Sequence, residues 1–156
     1  MTPAATKRSD PEDRTLADGV LDDLVQMAFA VTAVLTRVGG THDLSLTLLR
    51  LLGILRGRRP KMAQLADHLG LEKSTVSGLV DRAEARGLVE RSASPEDGRA
   101  VCVGLTSKGR RLARIIEGEV AAALTSATGE LTTQDQKQIH AVFSRLLGQA
   151  SARMDL

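Results

Sequence analysis

Apolar residues return at steps of three and four from about Thr15 onward. Leu21, Leu24, Val25, Ala28, Thr32 and Leu35 make one stripe of a helix. The pair Gly39-Gly40 reads as its stop signal. From Leu44 to Leu55 the pattern changes. Leu46, Leu48, Leu49, Leu51, Leu52, Ile54 and Leu55 leave almost no polar side, which predicts a central, buried helix. It ends in "RGRRP", a basic turn closed by Pro60.

Two shorter helices follow. "KMAQLADHLG" ends at Gly70 and "LEKSTVSGLVDRAEARG" ends at Gly87, with about three residues between them. Short helix, tight turn and second helix is the helix-turn-helix pattern. "LVERSAS" suits a strand, "PEDG" carries turn residues in series, and the alternating, β-branched "AVCVGLT" reads as the returning strand. A hairpin directly behind a helix-turn-helix is a wing. A long helix is then expected from Ser107 to about Thr128, ended by Gly129. A last one, about Thr132 to Gln149, sets Ile139, Val142, Phe143, Leu146 and Leu147 on one stripe. Thr132 or Thr133 would cap it, with Asp135 or Gln136 in the first turn. The polar residues 1–14 read as a disordered arm. The expected fold is mostly α with a small β-hairpin wing: a helix over 15–40, a winged helix-turn-helix over 41–112, and C-terminal helices over 113–156.

Composition narrows the function. Phe29 and Phe143 are the only aromatic residues, so a ring-stacking platform for sugars or single strands is disfavoured. Cys102 is the only cysteine, which leaves no internal disulfide and no cysteine cluster for zinc. The N-terminus has no apolar segment of a secretory signal, and no apolar run approaches the 18 or so residues of a membrane span, so no membrane partner is expected and a cytoplasmic location follows by elimination. No acid/base pair, nucleophile elbow or phosphate loop points to an enzyme.

Net charge is only +2, but residues 1–55 hold 5 basic and 7 acidic side chains, residues 56–114 hold 13 and 7, and residues 115–156 hold 3 and 5. The basic middle fits a polyanion partner, and on charge alone it fits an ordinary solvated surface equally well. The helix from Lys73 to Arg86 sharpens the choice. At 100° per residue, Val76, Leu79, Val80 and Ala83 share one arc. The opposite arc is small and polar: Ser74, Ser77, Gly78, Asp81 and Ala85, flanked by Lys73, Thr75 and Arg82. Such a face lets a helix backbone approach the major groove of double-stranded DNA closely. Small polar residues at a helix start also serve as plain caps; here the preceding helix, the hairpin and the local charge support the DNA reading.

The linked motifs "LADHLG", "STVSGLVDRAEARGLVER", "DGR" at Asp97-Gly98-Arg99 and "LTSKG" at Leu105–Gly109 resemble the DNA-binding core of the MarR family (multiple antibiotic resistance regulators). The resemblance covers roughly Leu44 to Leu112. It implies a homodimeric winged-helix transcription factor, here expected to be a repressor, that needs no cofactor and places a recognition helix in the major groove and a wing arginine in the minor groove of each half of a pseudo-palindrome. It puts Lys73, Ser74, Thr75, Ser77 and Arg82 on the recognition helix and Arg99 at the wing tip, with Asp97 orienting Arg99. Lys73 becomes a phosphate contact, and Lys108 a phosphate or structural residue. It also implies a cleft for a small-molecule effector near His42 and Arg50. Glu72 departs from the pattern where a Ser or Asp cap would serve better, Gly78 removes a side chain from the groove face, and the lack of Tyr and Trp weighs against an aromatic-lined pocket.

The end stripes support the dimer: with the core filled by Leu44–Leu55, they are free to pack on a twin, although they would also serve to cover the protomer. Arg50, a lone charge in a greasy helix, is otherwise expected to pair with Asp22 or Asp23. His42, His68 and His140 lack metal-ligand spacing, so no metal site is expected. Cys102, between two valines in a strand, reads as inert. The competing reading is a winged helix that serves protein interaction without reading DNA.

Overall fold

Alternating helical and extended sequence produces six helices and one two-stranded sheet in a computed structural model, which describes residues 11–154. They are α1 (Pro11–Thr41), α2 (Leu46–Ile54), α3 (Met62–Leu69), α4 (Lys73–Ala85), β1 (Val89–Ala93), β2 (Val101–Leu105), α5 (Ser107–Thr128) and α6 (Thr133–Met154). This is the expected mostly helical winged helix-turn-helix. The chain divides into two units, the first running to Val120 and the second starting at Ala121.

The core of the first unit gathers around α2. Leu48, Leu51, Leu52 and Leu55 are buried, and with them Leu65 of α3, Val76, Leu79, Val80 and Ala83 of α4, and Val103 and Leu105 of β2. The apolar arc of α4 is therefore the one the sequence spacing gives. Ser45 caps α2, its Oγ accepting from the Leu48 N–H at 3.2 Å. Gly70 and the two residues after it separate α3 from α4. Gly87, at φ 69°, lets the chain leave α4 in the left-handed region and enter β1.

Several expectations change. Residues 11–14 belong to α1; the rest of the expected arm lies outside the described residues. Gly39-Gly40 does not stop α1, which runs on to Thr41. Gly39 is there for closeness: a Cβ would lie 2.8 Å from the Leu44 carbonyl oxygen and 2.8 Å from Leu49 Cδ1. The turn out of α1 is made instead by Asp43, at φ 55°, with His42 and Leu44 N–H groups both donating to the Gly39 carbonyl. Of the α1 stripe, Leu21, Val25, Ala28 and Thr32 are exposed and Leu24 and Leu35 half-buried, while the contact with the core is made by Val34 and the buried Val38. Asp18–Thr41 is also long and apolar enough, by length and composition, to cross a membrane, with a mean hydropathy of 1.4. No unbroken apolar run marks it in the sequence, because Asp22, Asp23, Gln26, Arg37, threonines and glycines interrupt the pattern.

In the second unit α5 ends as expected at Thr128. Thr132 and Asp135 open α6 with a reciprocal cap: the Thr132 N–H donates to the Asp135 carboxylate at 2.9 Å and the Asp135 N–H to Thr132 Oγ1 at 3.2 Å. The Thr132 bonds hold the Asp135 carboxyl below its ordinary value. Ile139, Val142, Phe143, Leu146 and Leu147 of α6 are all exposed.

Candidate nucleic-acid interface

The recognition-helix candidates sit opposite the buried arc of α4. Lys73, Ser74, Thr75 and Arg82 are exposed and Ser77 is half-buried. Glu72 occupies the N-cap without a side-chain cap bond, so the first N–H groups of α4 keep no side-chain acceptor from that residue. A Cβ at Gly78 would lie 3.5 Å from the Arg82 guanidinium, an ordinary van der Waals contact, so a small side chain would fit there without moving Arg82.

The wing is an antiparallel hairpin with Val89 opposite Leu105, Arg91 opposite Val103 and Ala93 opposite Val101. Its tightest turn is Asp97–Ala100, closed by the Ala100 N–H to the Asp97 carbonyl at 2.9 Å, rather than Pro95–Gly98. The register puts the turn there because the Ser94 N–H donates to the Ala100 carbonyl at 2.8 Å, continuing the ladder past Ala93. Arg99 is thus a central turn residue, exposed at the tip. Asp97 acts on it through the backbone: its carboxylate accepts the Arg99 N–H at 3.1 Å.

Wing and recognition helix are tied together by Arg91, which sequence reasoning did not single out. Its guanidinium donates to Asp81 at 2.6 Å and to Glu84, and its N–H donates to Glu84 at 3.3 Å. Partial burial works against the Arg91 charge, but the hydrogen bonds and charges of Asp81 and Glu84 outweigh it and hold the group above its ordinary value. The sequence signal was two acids three residues apart on one helix face, with an arginine on the following strand.

"LTSKG" is a joint. Thr106 Oγ1 donates to the Gly87 carbonyl at 2.6 Å and accepts from the Gly109 N–H at 3.0 Å, capping α5. Lys108 Nζ donates to the Arg86 carbonyl at 2.8 Å, at the end of α4. Gly109 lies against Leu88 so closely that a Cβ would fall 2.0 Å from its carbonyl oxygen.

The structure does not bring His42 and Arg50 together in one site. His42 bonds Glu119 of α5 at 2.9 Å, and Arg86 donates to the His42 and Asp43 carbonyls. Arg50 pairs with neither Asp22 nor Asp23. It donates to the Leu69 and His68 carbonyls at 3.1 and 2.9 Å, satisfying the C-terminus of α3, whose free carbonyls attract a cation. His68 bonds its own helix at the Gln64 carbonyl. Cys102 is buried in β2.

Comparison with known proteins agrees with this layout. The model of the MarR family matches residues 42–100. The HTH-type transcriptional regulator YfiV of Bacillus subtilis is 36% identical over 73 residues, 46% of this chain and 46% of that protein. The HTH-type transcriptional repressor Rv2887 of Mycobacterium tuberculosis is 31% identical over 84 residues, 54% of this chain and 60% of that protein. The matched stretch thus spans about half of each of these relatives. Among solved structures, CouR from Rhodococcus jostii RHA1 bound to p-coumaroyl-CoA superposes with a TM-score of 0.71 at 24% identity, over 84% of this chain and 93% of that one.

Proposed function

We propose that this chain, which belongs to the MarR family through its winged-helix segment, binds double-stranded DNA as a homodimer and regulates transcription, as a repressor, in the cytoplasm. The observation that carries the reading is the pairing of two exposed readers on one braced frame. The small polar face of α4, from Lys73 to Arg82, and Arg99 at the wing tip are joined through the Arg91 ion pairs. In this reading α4 enters a major groove, with Ser74, Thr75, Ser77 and Arg82 facing bases or phosphates and Lys73 on a phosphate. Arg99 enters the neighbouring minor groove, where a narrow groove raises the negative potential.

The dimer is supported by apolar surface left exposed among the described residues. Leu21, Val25, Met27 and Phe29 of α1 are exposed, as are the five apolar residues of the α6 stripe. Exposed apolar stripes of this kind mark association faces. Repression is proposed on the precedent of the partial relative Rv2887, an HTH-type transcriptional repressor. Control by a small-molecule effector is part of the proposal, on the precedent of CouR, a likeness of fold.

The test is selection of bound sequences from a random duplex pool. A palindrome with half-sites about one helical turn apart is the expected result. Enrichment of no sequence, with the protein folded, would refute sequence-specific binding and favour an interaction module.

A further inference from the structure

The loop joining α2 to α3 and the first turns of α5 bring five arginines round two adjoining clefts. One, of about 320 Å3, lies between Arg56 and Gly57 on one side and Arg110, Ala113 and Arg114 on the other. The second, of about 280 Å3, continues past Leu55 to Arg58 and Arg59. Leu105 and Arg110 line both. None of the residues assigned above to DNA lines either cleft. The clefts lie at the Leu105 end of β2, whereas Arg99 is beyond its Val101 end, and at about 3.3 Å per residue those ends are roughly 13 Å apart.

The charges here are in excess of their partners. Arg56 pairs with Glu117 at 2.7 Å and Arg59 with Glu90. Arg110 donates to the Leu105 carbonyl and to Ser107 Oγ. The Arg58 and Arg114 guanidiniums make no hydrogen bond or ion pair among the described residues. Five guanidiniums stand against two carboxylates. Arg59 is held in place from below: its side chain crosses Gly104, where a Cβ would meet Arg59 Nε at 2.8 Å. Between the arginines, Leu55, Leu105 and Ala113 are buried and supply apolar wall.

We propose that this double cleft binds a phosphate monoester with a small apolar body. A phosphomonoester carries a charge of about −1.5 to −2 at neutral pH, which offsets more of the local excess of three positive charges than the single charge of a carboxylate does. Guanidinium forks match its oxygens two at a time. The apolar wall suits the body, and the volume of the larger cleft is at the lower end of the range of about 300–1,000 Å3 for small-ligand sites. The site gives chemistry to the effector proposed above. Its tests contain no DNA in the binding arm, so its failure is distinguishable from failure of the DNA reading.

The experiment is calorimetric titration of the full chain at fixed ionic strength with phenyl phosphate, inorganic phosphate and phenol. Phenyl phosphate should bind saturably, inorganic phosphate roughly tenfold more weakly, and phenol not at all. The double variant Arg58→Gln/Arg114→Gln should lose roughly tenfold in phenyl phosphate affinity with an unchanged circular dichroism spectrum. Arg82→Gln, which removes one positive charge on α4 outside both clefts, should bind phenyl phosphate like the wild type. Should the double variant fold poorly, protection of Arg58 and Arg114 from phenylglyoxal by phenyl phosphate in the wild type gives the same answer by mass spectrometry. Absence of saturable binding, or equal binding by wild type and double variant, overturns the proposal. So does a double variant that loses DNA affinity while the wild type ignores phenyl phosphate, which would make these arginines a contact to the DNA backbone.

Discussion

Two glycines of α5 predict opposite responses to one added methyl group. At Gly109 an alanine Cβ would sit 2.0 Å from the Leu88 carbonyl oxygen and 2.9 Å from its carbonyl carbon. Neither side can retreat. Leu88 is fully buried, its N–H donates to the Ala83 carbonyl at 3.0 Å, and its carbonyl accepts the Thr106 N–H at 3.1 Å. The start of α5 is fixed by the Thr106 and Lys108 bonds to Gly87 and Arg86. Overpacking costs about 1–3 kcal/mol, and backbone against backbone belongs at the upper end. Alanine regains about 1 kcal/mol of helix propensity, leaving a net loss of about 2 kcal/mol. For a chain of this size that lowers the melting temperature by roughly 4–8 °C. At Gly118 a Cβ meets nothing within 4 Å, so Gly118→Ala should stabilise by about 1 kcal/mol and raise the melting temperature by roughly 2–4 °C. Thermal unfolding of both variants by circular dichroism reads the two signs. A Gly109→Ala protein that melts at or above the wild type would refute the close contact, and with it the account of "LTSKG" as a joint.

Arg99→Ala should weaken operator binding by about 1–3 kcal/mol and flatten the salt dependence by about one charge, more on A·T-rich than on G·C-rich flanks. Lys73→Ala should flatten it equally but lose affinity evenly across sequences; mobility-shift titrations at several salt concentrations separate the two. Changing Phe143 and Leu146 together to Asp should give monomers or unfolded chains by light scattering, and a folded, unchanged dimer would remove α6 from the interface. Because Asp135 is held below its ordinary pKa, its contribution to the start of α6 is complete above the ordinary carboxylate range and is lost as pH falls through the lowered value. Carboxyl NMR should show the Asp135 midpoint rising in Thr132→Ala. Cys102→Ser should keep DNA binding, and peroxide should not release the wild type from DNA, since the thiol is buried in β2.

The parts of this fold written in local spacing were the parts legible beforehand. The buried arc of α4, both ends of α5 and the Thr132 cap depend on neighbours within about one turn, and sequence alone carries those. The wing turn was placed too early because Pro95, Asp97 and Gly98 are all turn formers, and only the Ala93–Val101 register chooses among them. What escaped was long-range. Arg50 reaches carbonyls 18 and 19 residues away, and the loop before α3 meets β2 through the Val103 N–H, which donates to the Pro60 carbonyl, and an isolated Lys61–Cys102 bridge. Arg91 went unnoticed for the same reason: a strand arginine has many possible partners until the fold selects two of them.

The Arg91 clamp has a consequence for the duplex. It gives α4 and β1 one shared cation, so the helix and the hairpin behave as the two jaws of a fixed-gap calliper. Under the proposed reading, one jaw rests in a major groove and the other in the minor groove beside it. A duplex is then measured as well as read. Overwinding, underwinding or widening of the minor groove moves the second groove away from Arg99, even when every base beneath α4 is unchanged, and the mismatch is felt as lost affinity.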